Sequence, residues 1–286
     1  MAIDPARLQA WPFPDVVHRY AAKDSILYAL GVGYGSDPTD ENELRFVYEE
    51  RLVPAPTLAV VLAGPGGWVR NPQSGVNWHQ VLHGEQSLVI HRPLKPQGEV
   101  IGRTRIDDVI DKGEGRGALI YSSREVIDRE SGELLCALAS TTFCRADGGF
   151  GGRSGPTKPL QEIPDRPSDL ICDLSTSPRA ALLYRLSGDD NPLHIDPVVA
   201  RAAGFPRPIL HGLASYGVAG RAVIRSLCDY DPTRLRRLDV RFSAVVYPGE
   251  TIRTEIWRLG DGRAAFRCRV VERDVVVLNN GRADYA

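Results

Sequence analysis

The 286-residue chain, 43% hydrophobic and 25% charged, has the composition of a globular protein and the length for a sizeable core, which excludes a disordered or collagen-like chain. Its 35 basic residues nearly balance 36 acidic ones, so no overall field draws it to nucleic acid or to an anionic membrane, and an anionic ligand has to be met by a local patch. Five scattered cysteines with no CxxC pair suggest neither a disulfide framework nor a zinc site.

No stretch approaches the ~20 apolar residues of a membrane span. The opening MAIDPARLQAWPFPDVV lacks the charged-then-apolar order of a signal peptide, and the closing GRADYA carries no peroxisomal tripeptide. A soluble cytoplasmic protein is expected.

After a Pro-rich lead, KDSILYALGVGYG (23–35) begins as a helix with Ile26, Leu27 and Leu30 on one face and is broken by Gly31, Gly33 and Gly35. TLAVVLA (57–63) is apolar throughout, and periodicity does not decide between a buried helix and a strand. Four segments, EQSLVIHRPL, GEVIGRTRIDDVIDKG, GALIYSSREVIDRESG and ELLCALASTTFCRA, read as consecutive strands of an antiparallel meander. Residues 147–170 are dense in Gly and Pro and too aperiodic to form an element, so they mark a boundary between modules 1–150 and 151–286.

Beyond it, SPRAALLYRLSG is helical, with Ser177 as N-cap and Pro178 at the first helical position. LASYGVAGRAVIRSL (213–227) is a helix crowded with Ala and Gly, as expected where a sheet wraps it closely, and the remaining segments give a second meander. The two halves echo each other: PQGE at 96–99 matches PGE at 248–250, and ILYALGVGYG matches LLYRLSGDDN. That alignment puts Tyr28 opposite Tyr184, Gly33 opposite Asp189, Gly35 opposite Asn191 and Pro38 opposite His194, so ionisable chemistry survives in the second copy alone. A helix and a curling antiparallel meander, repeated, is an α+β architecture.

In SGDDNPLH a carboxylate at Asp189, a carboxamide at Asn191 and an imidazole at His194 share one loop. Pro192 and the Asp/Asn cluster end the preceding helix there. A carboxylate and an imidazole can hold one water between them, the imidazole taking its proton, and Asn191 offers both donors and an acceptor. Gly212 opens the next helix, where unpaired backbone N–H groups suit a developing oxyanion. Three other readings stand beside this one. Asp189, Asp190 and Asn191 form a plain capped turn with His194 hydrogen-bonded in the loop; Asp189, His194 and Asp196 ligate a metal; His211 is structural, not a second base.

YRLSGDDNPLHIDPVVARAAGFPRPILHG (184–212) resembles the hydratase 2 motif of the MaoC-like (R)-specific enoyl-CoA hydratases, a family that includes the hydratase unit of peroxisomal multifunctional enzyme type 2. VLHGEQSLVIHRPL, DVIDKGEG, GGFGGRSG and VRFSAVVYPGETIRTEIW resemble that family in the same order, so most of the chain is covered. The resemblance implies a double hot-dog fold, two antiparallel sheets each wrapping a long helix. It implies a first half (1–150) that accommodates the acyl chain and a catalytic second half (151–286). It makes Asp189 and His194 the catalytic pair, Asn191 their support and the Gly212 N–H the oxyanion donor. His83, Gly84, Lys112 and Phe242 would lie beside the CoA thioester, Lys112 as a cation for its phosphates, with Asp190, Pro192 and Leu193 as further substrate contacts. Asp190 departs from the aromatic residue that relatives often carry, which touches contacts at the rim. The implied reaction is syn hydration of a trans-2-enoyl-CoA to the (3R)-3-hydroxyacyl-CoA, with no metal or organic cofactor, in a homodimer. Rival expectations are a dehydratase of fatty-acid elongation, a hot-dog thioesterase and a non-catalytic acyl-CoA binding module.

Overall fold

The computed structural model describes residues 2–155, 157 and 159–286; Pro156 and Lys158 of the Gly/Pro-rich stretch lie outside the described residues. The first half runs α1 (Pro5–Gln9), β1 (Val16–Tyr20), α2 (Ala22–Gly31), α3 (Glu41–Leu44), β2 (Val81–Ile90), β3 (Gly98–Asp111), β4 (Ala118–Asp128) and β5 (Leu134–Cys144). The second runs β6 (Leu170–Ser175), α4 (Ala180–Tyr184), α5 (Pro197–Ala202), α6 (Gly212–Leu227), β7 (Leu235–Phe242), β8 (Thr251–Gly260), β9 (Arg263–Val270) and β10 (Val275–Tyr285).

All ten strands join one antiparallel sheet in the order β1-β3-β4-β5-β2-β7-β10-β9-β8-β6. Read outward from its centre, each half repeats the same order, so β1 corresponds to β6, β2 to β7 and so on. The halves meet where Glu85 to Val89 of β2 pair with Arg241 to Arg237 of β7. This is the α+β double hot-dog arrangement expected, with its two sheets fused edge to edge. The seam strands, central to the whole sheet, leave neither half with an open inner edge.

The Tyr28 and Tyr184 rings meet at 5.7 Å, and a Cβ on Gly31 would lie 3.3 Å from the Tyr184 Cα. The two matched helices α2 and α4 therefore pack on each other across the pseudo-twofold relation that the sequence echo predicts.

The halves differ in what they wrap. Helix α6 is buried on every side from Ala214 to Ile224, which its small residues permit. A Cβ on Gly217 would come within 2.5 Å of Val32 Cγ1, and one on Gly220 within 2.7 Å of Thr57 Cγ2. Among the described residues the first half has no counterpart of this length: most of TLAVVLA lies in the 3₁₀ segment Pro56–Val61. Pro54 and Pro56 deny it the backbone donors of a longer helix, and Gly64, Pro65, Gly66 and Gly67 stop it. One long helix therefore serves a sheet of two halves, and the expectation of one in each is corrected.

Two more details differ from the sequence reading. Helix α4 starts at Ala180 with Arg179 as its N-cap, while Ser177 Oγ accepts from Arg179 N at 3.1 Å; Pro178 places the chain in a turn before the helix. Strand β1 lies in the stretch read as a lead, and β6 starts at Leu170, the last residue of the stretch read as a boundary, and runs through residues 171–175, to which the sequence reading gave no element.

Candidate active site

The loop after α4 is built by short-range turn chemistry. Gly188 closes the Arg185–Ser187 turn at φ 109°, a conformation glycine adopts without a Cβ penalty. Asp189 Oδ1 then accepts from Asn191 N at 3.2 Å, and Asn191 Oδ1 from Leu193 N at 3.1 Å, with Pro192 opening a 3₁₀ turn that ends on His194. The capped-turn reading is thus the local structure itself, and it is also what aims the side chains. Asn191 commits its amide oxygen to the loop and keeps its NH₂ to donate. Pro192 and Leu193 form the turn that carries His194. Asp196, offered above as a metal ligand, instead caps α5 through Val198 N at 2.7 Å.

His194 is buried, and its Nδ1–H donates to Ile209 O at 2.9 Å, a carbonyl that fixes the tautomer and leaves Nε2 as an acceptor. His211, which the sequence reading treats as structural, stacks on His194 with ring centroids 3.7 Å apart. Its Nε2–H donates to the backbone oxygen of Asp189 at 3.2 Å, so it holds both members of the pair. Donor atoms of Asp189, His194 and His211 all lie within 4.8 Å of one another. This set differs from the one containing Asp196, and each imidazole already spends one nitrogen on a backbone carbonyl.

Gly212 is the first residue of α6 and follows His211 directly, so its N–H is one of the helix's unpaired amides, at the positive end of the dipole. A Cβ there would lie 3.3 Å from the Phe242 ring, and Phe242 meets the His83 ring at 4.8 Å. His83 sits deep among protein atoms and yet keeps an open surface, as a side chain lining a hollow does; its Nε2–H donates to Glu85 O at 3.1 Å. Gly84 lies in the bulge between His83 and Glu85, against Thr141 O. His83, Gly84, Phe242 and Gly212 therefore converge. Lys112 stands apart at the end of β3, its Nζ 5.0 Å from the Phe143 ring. Beside it Asp111, not singled out from the sequence, accepts from Gly113, Gly149, Gly151 and Gly152 amides and so ties GGFGG to the DKG turn. A carboxylate next to a glycine-rich stretch was the available signal.

A cleft of about 330 Å³ opens beside Asp189, lined by Val60, Val61, Gly64 and Arg70 of the first half and by Tyr184, Asp190 and Leu213 of the second. A larger cleft of about 380 Å³ lies beneath residues 159–161. Its acids Glu85 and Asp239 are already paired with Arg241 and Arg237, whereas the smaller one is lined by Asp189.

Burial lowers the His194 pKa from its ordinary 6.5, opposed by the Ile209 carbonyl and Asp189. His211 is lowered by burial and then by the neighbouring His194, since two stacked imidazolium charges oppose each other. With folded pKa values below that of the unfolded chain, the unfolded state takes up protons first. Stability should therefore fall as pH drops below about 6.5. The acid limb of kcat/KM should likewise lie below the ordinary imidazole range. A pH profile with urea midpoints at matched pH checks this; a limb at or above 6.5 contradicts it.

Residues 159–280 match the profile of the MaoC like domain, and residues 18–146 that of the MFE-2 hydratase 2 N-terminal domain. The chain is 40% identical over its whole length to 3-hydroxyacyl-thioester dehydratase Y of Mycobacterium tuberculosis, covering 99% of that protein. It is 38% identical to the peroxisomal enoyl-CoA hydratase 2 of Arabidopsis thaliana, over 95% of this chain and 92% of that one. The crystal structure of a MaoC-like dehydratase from Phytophthora capsici superposes with a TM-score of 0.87 at 36% identity, over 98% of both chains. Fold and matches together define a MaoC-like double hot-dog protein. The chain belongs to the MaoC-like hydratase 2 family.

Proposed function

We propose that this chain hydrates trans-2-enoyl-CoA thioesters reversibly to (3R)-3-hydroxyacyl-CoA, one water being held by Asp189 and His194. The chain is a hydro-lyase of its family; the observation that carries the reading is full-length similarity to proteins named as hydratases and dehydratases, joined to an acid/base loop facing a cleft.

His194 Nε2 and the free oxygen of Asp189 hold the water over the double bond. The water oxygen bonds to C3, the π electrons move toward the thioester oxygen, and the Gly212 N–H stabilises the enolate charge. The pair removes one water proton and delivers a proton to C2 on the same face, so the bonds made and broken sum to one water added. Reversed, the same steps dehydrate the 3-hydroxyacyl thioester, the direction that the M. tuberculosis relative's name gives for that protein.

We assign residues 1–150 to acyl-chain accommodation, since Val60 to Arg70 line one side of the cleft, and 151–286 to catalysis. His83, Gly84 and Phe242 are read as contacts to the thioester, Asp190 as a rim contact and Lys112 as a contact to the CoA phosphates. Asn191, Pro192 and Leu193 shape the loop. A cytoplasmic homodimer is the further reading; among the described residues no helix is long and apolar enough to cross a membrane.

Enoyl-CoA should lose its conjugated absorbance on addition of the protein, faster than the matching carrier-protein thioester, while saturated acyl-CoA releases no thiol. Thiol release without hydration would make it a thioesterase, and preference for the carrier protein would move it to elongation.

A further inference from the structure

The inner face of the first-half sheet is apolar at both ends and polar between them. On β4, Ala118 and Ile120 join a small core with Ile106 and Cys144, and Val126 joins the main core. Between them on the same face stand Ser122 and Arg124. Ser122 bonds Ser140 of β5 at 2.9 Å, and Thr104 of β3 lies directly opposite Arg124. A strand that buries one face has no use for an arginine there unless something meets it.

No acid among the described residues meets it. Arg124 Nη2 donates to Val60 O at 2.7 Å, while its Nε and the neighbouring Thr104 Oγ1 are buried without a protein partner. The other deeply placed arginine, Arg221, has Glu43 bidentate at 2.7 Å. A guanidinium set this deep among protein atoms with no acid beside it is costly to desolvate, although part of its surface stays open, and burial pulls Arg124 down to about 10, still charged at neutral pH.

Its location gives the cost a purpose. Val60 and Gly64 line the cleft that contains Asp189, and the absence of a side chain at Gly64 is what admits the guanidinium, because a Cβ there would lie 2.8 Å from Nη1. Along the sheet, the residue opposite His83 is Thr142, which in turn faces Ile120. Arg124 is thus four residues further along β4 than the level of His83, away from the Lys112 end. A thioester held near His83 and Gly212 would send its acyl chain toward Arg124.

We propose that Arg124 reads the far end of the acyl chain, and that the substrate carries a second carboxylate there, bound by the spare guanidinium donors beside Gly64. The inference rests on the hydratase reading and names its substrate class. A carboxylate supplies the missing countercharge and fits the planar fork of arginine.

The test uses the full chain, wild type and Arg124→Met, with trans-2-enoyl-CoAs paired by length, one of each pair ending in methyl and the other in carboxylate. Wild type should favour the carboxylate-ended partner at one length or more; Arg124→Met should lower kcat/KM for that partner about 10- to 100-fold and leave the methyl-ended one within about twofold. Equal handling of both ends by wild type at every length, or an equal fall of both in the variant, overturns the proposal. Calorimetric binding of saturated acyl-CoAs with either terminus separates the two readings. If no enoyl-CoA is hydrated the hydratase reading fails, while carboxylate-selective binding lost in Arg124→Met would still support the site and its absence would overturn it. Should the variant not fold, the wild-type preference decides.

Discussion

Asp189→Asn and His194→Gln are each expected to lower kcat by about 10²- to 10⁴-fold, the range general acid/base groups supply, while the proteins stay folded. Asn keeps the size of Asp and an oxygen able to accept from Asn191 N, so the turn survives, but it neither carries a charge nor exchanges a proton. Gln at 194 can still reach toward Ile209 O but has no basic nitrogen. Because the pair acts on the water and not on the CoA moiety, KM should change far less than kcat. The double variant should be little worse than either single one, since the two groups act on one water. Steady-state hydration rates with circular dichroism as a folding control decide it, and folded variants within about tenfold of wild type would remove the pair from catalysis.

Arg221→Met is expected to destabilise the fold by about 3–5 kcal/mol, because it strands a buried carboxylate. Glu43 is 1% exposed and Arg221 5%; besides their bidentate contact, Glu43 Oε2 accepts from Gly35 N at 3.2 Å. The guanidinium carbon lies 5.6 Å from the Tyr34 ring centroid. The pair also fills the first-half loop that corresponds to the catalytic one. A Cβ on Gly33, the counterpart of Asp189, would come within 2.8 Å of Arg221 Nη1, in a backbone at φ +92°. Where the second half carries an acid this position holds glycine, and the space beside it is taken by Arg221 of the central helix, held by Glu43 of α3. Urea denaturation should show the midpoint falling in Arg221→Met, with much of the loss recovered in Arg221→Met/Glu43→Leu, where no charge is left unpaired. Equal stability of wild type and the single variant would show that Glu43 finds another partner or water.

The site loop was legible because its geometry is local: Gly188, Asp189, Asn191 and Pro192 specify their turns through bonds spanning two or three residues. The meander strands were legible for the same reason, their β-branched runs lying between turn signals. What escaped was either masked by neighbouring Pro and Gly or set by residues distant in sequence. Strand β6 alternates buried and exposed residues, yet it follows directly on a Pro-rich stretch that masks the pattern. Strand β1 is a five-residue edge strand in a similar setting. TLAVVLA carried no period, and its flanking prolines and glycines, not its apolar content, determine its 3₁₀ form. The Arg221–Glu43 pair spans 178 residues, and the isolation of Arg124 depends on which strands lie beside β4. The role of His211 had a readable position, next to Gly212, but its stacking on His194 required the loop's three-dimensional course.

Hydration at the Asp189/His194 loop should have a single stereochemical outcome, which the hand of the product reveals. Wild-type protein is mixed with trans-2-enoyl-CoA, and the 3-hydroxyacyl-CoA is passed to dehydrogenases specific for each enantiomer. Oxidation by the 3R-specific enzyme alone is expected, with product formation nearly abolished in Asp189→Asn. A 3S product, or 3R product formed at the wild-type rate by Asp189→Asn, would contradict it.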